Sequence, residues 1–260
     1  MGIVNVTPDS FADGGRFFTS AAAVEHGVAL VAAGADVIDV GGESTRPEAQ
    51  PVDAATERLR VLPVITELAR RCPQCPISVD TTKATVASTA LAAGACIVND
   101  VSAGADPEMF EAVRGHDAAI VLMHMRGEPR TMQRDTGYTD VVAEVHAFLA
   151  GRAEAALRAG IPHAHIMLDP GIGFGKDISG NLRLLGSLPD LAALGFGVVV
   201  GASRKNFIGA LSKATVDERL PGSLAAITAA AGLGRALVRV HDVAASVQFL
   251  AVLSAIRAAA

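Results

Sequence analysis

Short runs rich in Val and Ile recur along the chain, each followed by a longer Ala- and Leu-rich stretch with helical spacing. That alternation marks repeated β-α units around a parallel sheet, because parallel strands need a long crossover between them. Eight units can be counted, with strands expected at Gly2–Val6, Asp36–Val40, Pro76–Val79, Cys96–Val98, Ala118–Met123, His165–Leu168, Gly197–Val200 and Ala236–Val240. Eight favours closure, so the predicted fold is α/β, a single TIM-type (β/α)8 barrel, with an open doubly wound sheet as the runner-up. The 260 residues are half apolar, enough to bury such a core, and no linker or low-complexity segment divides them. Residues 1–260 therefore read as one domain.

Local signals support the units. The second helix is expected after Pro51 and Val52, with Asp53 as its N-cap, with Leu59, Leu62 and Ile65 turned inward, and with a break before Pro73. Gly34, Gly94, Gly160 and Gly195 each close an Ala-rich helix just before a strand, where glycine most easily takes the left-handed conformation. The net charge of -5 comes from 27 acidic and 22 basic residues with no long run of either sign, which points away from nucleic acid and membrane surfaces and towards a small-molecule partner. There is no run of about 18 apolar residues and no basic secretory leader, so a cytoplasmic protein is expected. Cys72 and Cys75 form a CxxC around Pro73 with no second pair to complete a zinc site, and Cys96 reads as a buried small hydrophobe.

Nearly every expected strand ends in a polar residue: Asn5, Asp39, Asp80, Asn99 with Asp100, His124, Asp169, Ser203 with Lys205, and Arg239 with His241. A barrel gathers these ends on the face that carries the active site. Singly, each is an ordinary turn former, helix cap or member of an internal network. Together they describe a polar pocket. Asp80, Asn99, Asp169 and Lys205 supply carboxylates, an amide and a cation, which suit the edge of a flat amino-pyrimidine heterocycle. Arg239 and His241 flank Val240 and share one face of their strand end, the arrangement of an anion site, although Arg239 could instead pair with Asp242. Asn5 could help hold a Mg2+ bound mainly by pyrophosphate oxygens. The glycines of Asp169-Pro-Gly-Ile-Gly-Phe-Gly-Lys176 lack the spacing of a nucleotide loop and fit a backbone passing close beside a flat ligand, with Phe174 either covering a ring or packed in the core.

The strings MGIVNVTPDSF, DGG, GGESTRP, SVDT, VND, LMHMRG, PRTMQ, LDPGIGFGK, GASRK, FIG and RVHDV occur in order from Met1 to Val243. With them the chain resembles the dihydropteroate synthase family along almost its whole length. The resemblance implies a pterin-binding barrel, a transferase of folate biosynthesis that condenses 6-hydroxymethyl-7,8-dihydropterin diphosphate with para-aminobenzoate, releasing pyrophosphate and forming 7,8-dihydropteroate. It implies a pterin site at Thr45, Asp80, Asn99, Asp169, Lys205 and Phe174. The diphosphate falls to Arg46, Arg239 and His241, with Mg2+ linked to Asn5 and Asp13 ordering the metal end. Phe11, Pro47 and Ser203 shape the para-aminobenzoate pocket beside Lys205, and the loops Thr7–Gly15 and Gly42–Pro47 are expected to close over the substrates. The family is a sulfonamide target, and membership suggests a homodimer packed on the helical exterior.

The implied mechanism is dissociative. The pterin C–O bond breaks first, Arg239, His241 and Mg2+ stabilise the departing pyrophosphate, Asp80 and Asp169 steady the pterin cation, and Lys205 completes the catalytic set. The arylamine is already a free base and needs no strong general base. Three departures from the family pattern stand out: the chain opens almost at the first strand, Glu48 replaces a usual glycine, and Asn206 replaces a common serine beside the aminobenzoate pocket, which bears on sulfonamide binding. A corrinoid-dependent pterin methyltransferase would not need TPDSF, SRK or RVHD, and a noncatalytic paralogue predicts losses among the loop and phosphate residues that are not seen.

Overall fold

The computed structural model describes residues 1–7, 20–45 and 49–259. Among them, parallel strands pair in the order in which they occur: β1 (Gly2–Asn5), β2 (Ile38–Gly41), β3 (Ile77–Asp80), β4 (Ile97–Asp100), β5 (Ala119–Met123), β6 (Ile166–Asp169), β7 (Gly197–Val200) and β8 (Ala236–Val238). The crossovers carry α1 (Ser20–Ala32), α2 (Ala54–Arg71), α3 (Ala84–Ala92), α4 (Met109–Gly115), α5 (Val141–Arg158), α6 (Ile178–Gly186), α7 (Leu188–Ala192), α8 (Asn206–Ser212) and α9 (Leu220–Ile227), and α10 (Val243–Ala258) follows β8. None of the described helices is long and apolar enough to cross a membrane.

Backbone bonds from the residues after β8 close the ring. Val240 bridges to Gly2, donating to Met1 O at 3.0 Å and accepting from Ile3 N at 3.2 Å. Arg239 N first extends the β7 pairing by donating to Val200 O at 2.9 Å. The expected final strand, Ala236–Val240, thus includes two residues beyond the regular ladder, and these are the ones that complete the barrel. The other strand ends lie within two residues of expectation.

Alternation sorts the strand residues between two environments. Val4, Val40, Val79, Val98, Leu122, Leu168 and Val200 join the main core beneath the helices, with Leu30 of α1, Ile65 and Leu68 of α2 and Leu149 of α5. Their neighbours Ile3, Val121 and Val199 are buried but stand apart from that cluster, on the inner side with Asp39, Ser78, Asp80 and Asn99. Register sets Asp80 opposite Asn99 and Asp169 opposite Met123. The interior therefore turns polar towards the C-terminal ends of the strands, where a barrel keeps its chemistry.

The second helix shows how far local signals reach. Asp53 caps α2 by accepting from Thr56 N at 2.8 Å, and the helix stops at Arg71, before Pro73. Its buried stripe is Glu57, Val61, Val64, Ile65 and Leu68, at helical spacing. Ile65 faces inward as expected and Leu62 packs half-buried against the core. Leu59 does not: it is 79% exposed, because it lies two residues from Val61 and so about 200° around the helix from the stripe. Cys96 is likewise exposed rather than buried, since β4 begins only at Ile97 and leaves it on the connection from α3. The helix-ending glycines behave as expected, with φ of 95° at Gly34, 116° at Gly94, 90° at Gly160 and 91° at Gly195.

Truncating fully buried Leu149 to Ala is expected to lower the unfolding free energy by about 2–5 kcal/mol, whereas Leu59→Ala should change it by less than about 0.5 kcal/mol. Urea denaturation of both variants checks this, and equal losses would contradict the inward face described for α2.

Candidate active site

A half-buried guanidinium organises the mouth of the barrel. Arg239, just past β8, donates from Nε to Asp39 Oδ2 at 2.6 Å and from Nη2 to Asp80 Oδ2 at 2.8 Å, reaching the ends of β2 and β3. Asn99 Nδ2 donates to the same Asp39 oxygen at 3.2 Å. The alternative pairing of Arg239 with Asp242 is not formed, because Arg204 takes Asp242 through two bonds of 3.0 and 2.5 Å. Burial works against the charge on Arg239, but Asp39 and Asp80 outweigh it and hold the guanidinium protonated above its ordinary range.

Asp80, Asn99 and Asp169 are buried beside this network. Burial pushes Asp80 up to about 7 against the pull of Arg239, with Asp39 and Glu57 adding to the rise. Asp169 is pushed up to about 6, again by burial, and is opposed by the bond that Gly171 N donates to its Oδ1 at 2.7 Å and by Lys205. Lys205 shows part of its surface to the cleft yet is hemmed in by protein. Burial lowers its ammonium to about 8, helped by Arg239 and opposed by Asp169 and Asp80. Its Nζ lies 3.9 Å from the centroid of the Phe174 ring, a cation-π contact.

These residues line a narrow inner recess of about 20 Å3 with Thr45 and Met123. It opens beside a cleft of about 1300 Å3 whose wall includes Asn5, Ser203, Asn206, Arg239 and His241. The expected pterin residues Thr45, Asp80, Asn99, Asp169, Lys205 and Phe174 are thus brought together at the recess. Phe174 lines the recess and packs, as its core reading expects, in a small apolar cluster with Val101, Met123 and Met132. The expected Phe11, Asp13, Arg46, Pro47 and Glu48, and most of the two loops that carry them, lie outside the described residues.

The expected anion site has a neutral member. Ser203 Oγ accepts from His241 N at 3.2 Å and shares a hydrogen bond of 3.0 Å with His241 Nδ1, and the two contacts hold the ring in place. Burial lowers the imidazole to about 4, and the cations Arg239 and Arg204 add to the effect. His241 thus lines the cleft as a neutral imidazole.

The glycine-rich loop after β6 passes hard against the end of β5. Gly171, Gly173 and Gly175 have φ of 67°, 84° and 64°, and a Cβ on Gly171 would meet His124 O at 1.9 Å. Two features went unread in the sequence. Lys176 is buried among carbonyls of this loop. Lys83 pairs with Glu43 and, at 2.6 Å, with fully buried Glu57, while Glu43 Oε1 accepts from Val52 N and Arg60 donates to Gly42 O, so the chain entering the Thr45 loop is tied to α2 and to the segment before it. The signal for the second was present, since Glu57 interrupts an otherwise apolar helical stripe.

A ring of parallel strands with acids, an amide and a lysine converging at its C-terminal end defines a barrel enzyme built to read a polar heterocycle. A family model described as pterin-binding enzyme matches residues 1–241. Dihydropteroate synthase of Synechocystis is 45% identical over 98% of this chain and 89% of its own. The solved dihydropteroate synthase of Xanthomonas albilineans with 4-aminobenzoic acid superposes with a TM-score of 0.92 at 48% identity, covering 99% of this chain and 92% of that one. A Yersinia pestis dihydropteroate synthase with a sulfonamide drug complex gives a TM-score of 0.93 at 39% identity, covering 99% and 93%. The chain belongs to the dihydropteroate synthase family, the pterin-methyl transferases of folate biosynthesis.

Gly171→Ala is expected to cost at least about 3 kcal/mol of stability, since the added methyl overlaps a backbone carbonyl at a left-handed position. Gly186→Ala, with open space around it, should be neutral or stabilising by up to about 1 kcal/mol. Chemical denaturation of the pair tests the close approach of the β5 and β6 ends.

Proposed function

We propose that the inner recess holds the pterin of 6-hydroxymethyl-7,8-dihydropterin diphosphate, and that the outer cleft holds its diphosphate and para-aminobenzoate. The supporting observation is the convergence of Asp80, Asn99, Asp169 and Lys205 on one narrow recess beside Arg239 and His241. Asp169 and Asp80 accept from the amino-pyrimidine edge, while Asn99 and Lys205 address its carbonyl and ring nitrogens, so that each buried polar group is paired. Thr45 borders the ring and Phe174 covers one face.

On this reading the reaction is carried by charge stabilisation. The pterin C–O bond breaks and its electron pair leaves on pyrophosphate, held by the N–H groups of Arg239 that Asp39 and Asp80 leave free and, in the tautomer protonated on Nε2, by His241. Asp80 and Asp169 stabilise the delocalised pterin cation. The arylamine nitrogen then attacks the methylene carbon and loses its proton to water or phosphate. Para-aminobenzoate lies against Lys205 and Ser203.

Among the described residues no group of three or more His, Cys, Asp or Glu side chains is placed to hold a metal ion. Asn5 offers an oxygen donor on the wall it shares with Arg239 and His241, which suits a Mg2+ carried chiefly by diphosphate oxygens. When bound, Mg2+ supplies neutralisation of the charge growing on the leaving group. The assignment extends to a single-domain barrel over residues 1–260, acting in the cytoplasm as a homodimer. For the dimer, Val252 and Ile256 of α10 offer apolar surface, at 56% and 62% exposure.

Incubating the chain with the pterin diphosphate, para-aminobenzoate and Mg2+ should release dihydropteroate and pyrophosphate in equal amounts, and omission of either substrate should abolish both. Pterin binding without product would support the methyltransferase or noncatalytic reading instead. Arg239→Lys, which keeps a charge between Asp39 and Asp80 but loses the fork, is expected to cut turnover about a hundredfold while leaving the dissociation constant of 6-hydroxymethylpterin within about threefold; an unchanged turnover overturns the assigned role.

The raised carboxyls fix a pH dependence. Asp80 takes its proton near pH 7 and Asp169 near pH 6, well above ordinary carboxylates, and a protonated carboxyl presents one acceptor fewer to the pterin. Affinity for 6-hydroxymethylpterin should therefore fall as pH drops through 7 and 6, by up to about tenfold per unit for one required proton loss. Fluorescence titrations at several pH values measure it, and a profile flat down to the usual carboxylate range would overturn the roles of both acids.

A further inference from the structure

Lys176 has no part in the chemistry just described, yet it is only 3% exposed. Its Nζ is 2.8 Å from Phe174 O, 3.0 Å from Gly171 O, 3.2 Å from His124 O and 3.0 Å from His124 Nδ1. An ammonium carries three hydrogens and no acceptor, so it is matched to such a cage of lone pairs, and three of the four belong to backbone carbonyls that are costly to bury unpaired. Two of those carbonyls come from the glycine-rich loop after β6, and the third acceptor pair comes from the end of β5. Gly173 N donates to Asn181 Oδ1 at 2.6 Å, and Asn181 Nδ2 lies 3.3 Å from Lys176 O, so α6 braces the same loop from outside.

The loop fixed in this way is a wall of the recess. Phe174 projects from it, with Lys205 Nζ over its ring, and a Cβ on Gly173 would stand 3.0 Å from Lys205 Cδ, so the lysine stem runs along the loop as well. A shift of the loop moves the aromatic wall and its cation together. We propose that Lys176 is a positioning residue: its ammonium knots the end of β5 to the loop after β6 and thereby fixes Phe174 and Lys205 in register for a pterin ring. Burial lowers this ammonium to about 7, opposed by Asp169, so its place is held by the donor geometry of the cage rather than by a surplus of negative charge. The proposal rests on the pterin reading of the recess.

Lys176→Met keeps the bulk and removes every donor, whereas Lys176→Gln keeps two. In the full chain, the Met variant is expected to raise the dissociation constant of 6-hydroxymethylpterin and the KM for its diphosphate about tenfold, from carbonyls left unpaired, with kcat within about twofold. The Gln variant is expected to recover most of that loss. A role in stability alone would shift the thermal midpoint and leave these binding constants unchanged at temperatures far below it. Wild-type pterin affinity in a folded Met variant overturns the proposal, as does a Gln variant no better than Met. Should the Met variant not fold, the wild-type chain decides: the nitrogen resonance of the Lys176 ammonium should shift on saturation with 6-hydroxymethylpterin, and an unmoved resonance counts against the knot. A wild-type chain that binds no pterin overturns the parent reading and this one with it, whereas binding that is indifferent to Lys176 overturns this one alone.

Discussion

The Arg239 guanidinium, clamped between Asp39 and Asp80, joins the closing strand of the barrel to the second and third, and everything at the C-terminal mouth is arranged around it. It sits beside Val240, whose bonds to Met1 and Ile3 on either side of Gly2 complete the ring, so barrel closure and placement of the cation are one event. Ion pairs of this depth seldom add much net stability, because the desolvation of each charge cancels most of the attraction. Their value lies in exclusivity. Any other register at the seam would leave two buried carboxylates without a cation, at a cost of several kcal/mol.

The same clamp sets the protonation of its surroundings. Three buried acids, Asp39, Asp80 and Asp169, share the mouth with Arg239 and Lys205. Burial raises Asp80 and Asp169 and lowers Lys205, so the ordinary gap of several units between carboxyl and ammonium shrinks to one or two. Such a set can exchange partners with a ligand at little electrostatic cost. An amino-pyrimidine edge would bring donors to the acids and offer acceptors to the lysine.

The barrel was legible in the sequence because its signal is repetitive. Eight apolar runs, helix caps such as Asp53 and glycines such as Gly34 and Gly94 each report a local preference that the fold obeys. Leu59 and Cys96 were misplaced because hydrophobicity was taken as inward direction, and direction depends on the phase of the helix or the first residue of the strand. The recess residues were legible because strand ends converge in any barrel. What pairs with what was not: Arg239 chooses Asp39 over adjacent Asp242, and Lys83 reaches Glu57, only because distant strands and helices are brought together. Lys176 escaped notice because a lysine after a glycine run reads as solvated until the carbonyls around it are seen.

The neutral state of His241 bears on how an anion site of this kind can turn over. A protonated imidazole beside Arg239 would grip pyrophosphate strongly both as it forms and after it has formed. Burial and the neighbouring Arg239 and Arg204 remove that charge, and Ser203 holds the ring through Nδ1. Protonated on Nε2, such an imidazole would offer a leaving oxygen a directional hydrogen bond that strengthens as charge develops, and would add little long-range attraction for the finished product. Arg239 is restrained in the same sense, since two of its nitrogens are already engaged by Asp39 and Asp80. A site whose cation is partly satisfied and whose histidine is neutral favours the transition from bound ester to free anion over tight retention of that anion, which is what a synthase releasing pyrophosphate at each turnover requires.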